Sequence, residues 1–236
     1  MVNEKGYRYR EIAIITGSLN DYIPDLKQEL TKYQIPCFLD DKTSLMRNPL
    51  VEFIRSMLVL ANGDFSYEKV FRHLKCGLFD IDRGDLDYLE NYVIAMGIRS
   101  EKRWNREWNR SYKESGTIDF VHLNEVRVNV VEKLLAYKAR IGKKGLTLKE
   151  RIRAIVEFMM EAKLEEKLLD FSTWLEEIGE PFLASEYEQA YALVIELFDE
   201  IVGLLGEEEI SLEELTILLD SGFAEIKVGF IPEGVD

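Results

Sequence analysis

Between Arg99 and Lys113 the chain reads RSEKRWNREWNRSYK, with six basic residues against two acids. Trp104, Trp108 and Tyr112 are interleaved among them at spacings of four. Guanidinium and ammonium groups neutralise phosphates, and aromatic rings stack on bases or pack beneath the cations. Arg99, Lys102, Arg103, Trp104, Arg106, Trp108, Arg110 and Lys113 are therefore candidate DNA-binding residues. The spacing predicts a helix that carries the three rings on one face. The same pattern also describes an amphipathic helix whose rings are core and whose arginines are solvated. Both readings hold together if only the arginines touch phosphate.

Other chemistry is sparse. No GxxxxGK[ST] loop is present to cradle nucleotide phosphates, and no GxGxxG follows the first apolar run. His73 and His122 lack partners at metal-ligand spacing and are expected to be satisfied or partly exposed helix histidines. Ser/His/Asp and Cys/His signatures are missing. Acid pairs such as Asp40-Asp41, Glu165-Glu166 and Glu176-Glu177 are what any acidic solvated face supplies. No catalytic residue, cofactor site or metal site is expected within the chain.

The elements that must position the basic stretch are mostly helical. The chain opens with Glu11–Thr16, an apolar run of the kind a strand buried on both faces needs. A helix follows through Tyr22, Ile23, Leu26, Leu30 and Tyr33, then a second strand at Cys37-Phe38-Leu39. After it come helices opening at Asn48-Pro49 and Ser66, then Asp85–Met96, the basic stretch and Phe120–Arg140. Capping boxes at Thr147/Glu150 and Ser211/Glu214 start two further helices, with Leu164–Ile178 and Glu180–Leu205 between them. Ala224–Ile231 alternates like a strand and has to pair with something, the opening strands being its nearest candidates. The expected fold is α/β with a large all-α insertion, predominantly helical overall: a discontinuous α/β unit of residues 1–78 and 223–236 around a helical subdomain of residues 79–222.

The net charge of −14 conceals an uneven distribution. Residues 154–236 hold 22 Asp/Glu and three Lys/Arg, a charge of −19, leaving +5 for residues 1–153. No segment has the ~20 apolar residues of a membrane span, and the N-terminus lacks the apolar region of a signal peptide. Cys37 and Cys76 are too few for a disulfide framework and are expected to be buried thiols in a cytoplasmic protein.

Several stretches resemble a known family. YREIAIITG, YQIPCFLDD and NPLVEFIRSMLVLANGDFSYEKVFRHLKCGLF look like the start of the second RecA-like domain of UvrD-type helicases, a domain interrupted by a large helical insert. With the closing GFAEIKVGFIPEGVD, they resemble more closely the AddB family, the B subunits of bacterial ATP-dependent helicase/deoxyribonuclease. The resemblance implies a partial RecA-like parallel sheet (the P-loop helicase second domain). It also implies an internal piece of a machine that resects double-strand DNA ends for recombinational repair. The partners implied are the A subunit of that helicase–nuclease and double- and single-stranded DNA, with no membrane. ATP, Mg2+ and an iron–sulfur cluster would be used by the parent protein outside this segment. Active UvrD-type helicases follow the first strand of this domain with a Tyr-Arg pair that reaches the nucleotide. The matching positions here are Thr16-Gly17, and glycine offers no cation.

Three readings compete: a non-catalytic scaffold and DNA-channel element of a helicase–nuclease, an acidic α-helical interaction module without DNA contact, and a free-standing enzyme. The missing motifs make the third the weakest.

Overall fold

In a computed structural model, the structure describes residues 5–17, 21–37, 43–112 and 118–228. After a 3-10 turn at Tyr9–Glu11, the elements in chain order are α1 (Ile23–Lys32), β1 (Thr43–Ser44), α2 (Pro49–Asn62), α3 (Tyr67–Leu74), α4 (Arg83–Met96) and α5 (Glu101–Trp104). They continue as α6 (Phe120–Arg140), α7 (Leu148–Glu161), α8 (Leu164–Glu177), α9 (Pro181–Leu205), α10 (Leu212–Glu225) and β2 (Lys227–Val228). The protein is predominantly helical.

α2 is the central element. The Asn48 side chain accepts from the Leu50 N–H, and Pro49 occupies the first turn, where its missing N–H costs nothing. Leu50, Val51, Phe53, Ile54, Met57, Leu58, Leu60 and Ala61 are all buried, so the helix is covered on most of its circumference. It packs against α3, α6 and α10, and the Arg55 guanidinium grips Asp220 of α10 at 2.6 Å. The capping boxes expected at Thr147/Glu150 and Ser211/Glu214 are both formed. Buried Arg151 donates to the carbonyls of Ile210 and Ile141, tying α7 to the loops beside it. One cluster of buried apolar side chains runs from Leu45 to Val228.

His73 lies in this core, fully buried between Ser56 Oγ at 2.9 Å and Tyr137 Oη at 3.2 Å. Burial pushes its pKa down to about 3, so the ring is neutral. It is the satisfied histidine expected, though not an exposed one.

The β content departs from expectation. Among the described residues the single sheet is two-stranded and antiparallel, pairing Thr43 with Val228 and Ser44 with Lys227. Of the expected strand Ala224–Ile231, Ala224 and Glu225 end α10 and residues 229–231 lie outside the described residues. Lys227 and Val228 meet the turn entering α2, because α10 ends beside that turn and Val228 is buried there. Glu11 belongs to the 3-10 turn, and Ile12–Thr16 makes no ladder. Ile14 and Ile15 are 68% and 93% exposed. A strand requires a neighbour along its edge, and none of the described residues supplies one, so no parallel sheet forms among them. Cys37 is irregular and exposed, not a buried thiol, while Phe38 and Leu39 of the expected second strand lie outside the described residues. Cys76 is partly buried, and desolvation raises its pKa. None of the described helices is long and apolar enough to cross a membrane.

Candidate nucleic-acid interface

The stretch that begins at Arg99 forms much less helix than its spacing predicts. α5 covers only Glu101–Trp104, and the chain then runs without regular structure to Tyr112. An asparagine on α6 supplies the reason. Asn124 Oδ1 accepts the Trp108 N–H at 2.9 Å, and Asn124 Nδ2 donates to the Trp108 carbonyl at 2.8 Å. One side-chain amide thus pairs both backbone polar groups of Trp108, replacing the bonds a continued helix would have made.

The rings still converge, as core. Trp104 is fully buried and its indole N–H donates to the Phe65 carbonyl at 3.0 Å. Trp108 is buried beside it, its indole N–H bonded to the Arg103 carbonyl at 2.9 Å. Tyr92 of α4 stacks on Trp108 with ring centroids 5.0 Å apart and 19° between planes, and its hydroxyl donates to the Arg110 carbonyl. Both indoles are closed to a stacking base, which favours the core reading for them. Tyr112 is half-buried against the same cluster, 6.4 Å from Tyr92.

Arg127 of α6 holds the assembly from below. It is nearly buried, donates to the Trp104 carbonyl at 2.8 Å and to Asn124 Oδ1 at 2.9 Å, and lies 5.7 Å from the Trp108 ring. Desolvation lowers its pKa, opposed by the charge of Glu107. Sequence reasoning passed over this residue. Its signal was an arginine set within the apolar stripe Leu123, Val126, Val130 and Leu134.

The cations divide into two groups. Arg103 is a bracing group: its fork donates to the carbonyls of Gly97 and Met96 at 2.6 and 2.8 Å, closing the end of α4 where Gly97 takes a positive φ of 57°. Arg99, Lys102, Arg106 and Arg110 are exposed and make no ion pair among the described residues. Glu101 is neutralised by Lys138 at 2.6 Å, which leaves exposed Glu107 as the acid of the stretch without an ion pair among the described residues. Lys113 lies outside the described residues. The arrangement is a pinned backbone presenting separated cations, a surface able to bind a polyanion.

The described residues contain no group of three or more His, Cys, Asp or Glu able to hold a metal ion. His122 forms an exposed pair with Asp85 at 2.6 Å, and the bond to that carboxylate raises the imidazole pKa.

No protein-family model matches the chain. Among curated proteins, the B subunit of an ATP-dependent helicase/deoxyribonuclease from Lachnoclostridium phytofermentans is 39% identical over 239 residues, which is 100% of this chain and 21% of the relative. The proteins of the same name from Clostridium novyi and Acetivibrio thermocellus are 35% and 36% identical over 99% and 100% of the chain, which cover 20% and 21% of their own lengths. The chain spans about a fifth of the length of the curated relatives it matches.

Proposed function

We propose, from the premise that this chain belongs to the family of ATP-dependent helicase/deoxyribonuclease B subunits and matches one segment of them, that it is a non-catalytic scaffold whose basic surface lies along DNA. The observation that carries this reading is the set of exposed cations at Arg99, Lys102, Arg106 and Arg110, on a backbone pinned by Trp104, Trp108, Asn124 and Arg127. Such a surface neutralises phosphates without reading bases, as a channel wall must when any sequence passes through it.

The parent protein acts, in this reading, on double- and single-stranded DNA in end resection and recombinational repair, together with an A subunit. ATP, Mg2+ and any iron–sulfur cluster belong to parts of the parent outside this segment. The division into an α/β unit of residues 1–78 and 223–236 around an inserted helical subdomain of residues 79–222 belongs to the same reading. The unladdered run Ile12–Ile15, exposed from Ala13 to Ile15, supports it, since such a run needs strand neighbours beyond the described residues. At Gly17 a Cβ would meet nothing within 4 Å, so the missing cation at this position is not a consequence of crowding. A domain without that arginine supports a motor and does not drive one.

Fluorescence anisotropy with labelled duplex and single-stranded DNA tests the proposal. Binding is expected to both, with little preference for sequence, and to be lost when Arg99, Arg106 and Arg110 are replaced together by glutamate. Undiminished binding by that variant, with its helical content intact, would refute the assignment of this surface.

A further inference from the structure

The acidic half of the molecule carries an apolar surface that the DNA reading does not use. Between Lys167 and Lys227 there is no lysine or arginine, while the same span holds 16 aspartates and glutamates. Within it, α8 turns Leu168, Ser172 and Leu175 inward against α9 and α7. Phe171, Trp174 and the capping residue Ile178 follow at spacings of three and four along one side and are 37%, 53% and 53% exposed, Phe171 also meeting the Tyr187 ring of α9 edge-on at 5.9 Å. Asp170 and Glu177, seven residues apart on the solvent side, border this stripe, and Glu180 stands at the turn into α9. None of these three acids has an ion-pair partner among the described residues. Lys167, one turn before Phe171, is occupied by Asp80 at 2.5 Å and by the Leu78 carbonyl.

We infer that this face of α8 docks a basic amphipathic helix of a partner protein. Single exposed apolar side chains are ordinary, but three large ones in register, one of them a tryptophan, form an anchor patch of the kind that dominates binding energy. The stripe extends for about 10 Å along the helix, matching two turns of a partner with apolar anchors at i, i+3 or i+4, and i+7. The uncompensated acids around it select the partner's charge: they repel nucleic acid and anionic lipid and attract flanking lysines or arginines. The same face of a second copy, being equally acidic, is disfavoured. This inference stands apart from the DNA reading, since the basic surface and the α8 face share no residue.

Trp174 provides its own readout, because Trp104 and Trp108 are buried and it is the remaining tryptophan of three. The full chain is titrated with a short helical peptide having one leucine face and one lysine face, with its Leu/Glu counterpart as control. Trp174 emission is expected to shift to the blue with the Lys peptide alone. Calorimetry is expected to show affinity falling about tenfold or more in the double variant W174A/I178S and in the charge-reversal variant D170K/E177K. These positions are exposed, so circular dichroism should remain unchanged. Equal affinity of either variant, equal binding of the Leu/Glu peptide, or absence of binding to the Lys peptide would each overturn the inference. Sedimentation showing the α8 face engaged in self-association would overturn it in favour of a second copy.

Discussion

The basic stretch at Arg99–Arg110 and the acidic helix α8 use the same ingredients in opposite ways. Each sets aromatic side chains among charges at helical spacings. In the first, Trp104 and Trp108 are buried and four cations face outward, so the aromatics fix a backbone and the charges do the recognising. In the second, Trp174 is 53% exposed beside the charges, so the ring itself is available and the acids choose its partner. Spacing alone does not separate these arrangements. What separates them is a partner surface within the chain: Phe65, Phe71, Tyr92 and Arg127 surround the first pair of indoles, whereas on the outer side of α8 Phe171 meets the Tyr187 ring and Trp174 has no ring contact among the described residues.

The contrast is broken most severely at its anchor. Trp104→Ala should destabilise the fold by about 3–5 kcal/mol, read from chemical denaturation, whereas Trp174→Ala should change stability by less than about 0.5 kcal/mol. Similar losses for both would mean that the second ring is also core. Arg127→Met should cost about 2–4 kcal/mol, because it strips a charge-assisted donor from the Trp104 carbonyl and from Asn124. It should also loosen residues 105–110, which amide exchange at Trp108 would report.

A third prediction uses pH. His73 has a folded pKa of about 3, against about 6.5 in the unfolded chain, so between those values the unfolded chain binds the extra proton. Stability therefore rises with pH up to the unfolded pKa and is flat above it, and lowering pH from 7 to 5 should remove about 2 kcal/mol. His73→Gln should flatten that dependence. His122 works in the other direction, since its pair with Asp85 stabilises the fold when the ring is protonated. His122→Gln should therefore steepen the loss, and a His73→Gln variant that keeps the full slope would contradict this assignment. The smallest effect on the fold is expected from charge reversal at Arg99, Arg106 and Arg110, within about 0.5 kcal/mol in stability.

Much of the helical framework was legible in the sequence. Caps at Asn48, Thr147 and Ser211 marked their helices because each satisfies a specific orphan N–H. Convergence of Trp104, Trp108 and Tyr112 was legible too, but not its route. A local pattern carries no sign that Asn124 will pair with the backbone of Trp108 from another helix. His73 was expected to be satisfied or partly exposed with no partner to name, and Arg127 drew no notice, because the partners of both are distant in sequence. The opening run Ile12–Ile15 was readable as a buried strand from composition, but burial depends on neighbours that the described residues do not contain. Of the basic residues, the sequence marked the stretch and could not tell bracing Arg103 from the free cations around it.

The salt dependence of duplex DNA affinity tests the central claim most directly. Each phosphate neutralised contributes about −0.9 to the slope of log K against log salt. Replacing Arg99, Arg106 and Arg110 one at a time by glutamine should flatten that slope by about one unit per residue, while Arg103→Gln changes stability more than slope. A slope and affinity unchanged by those three substitutions, in a chain that remains folded, would show that this surface does not contact DNA.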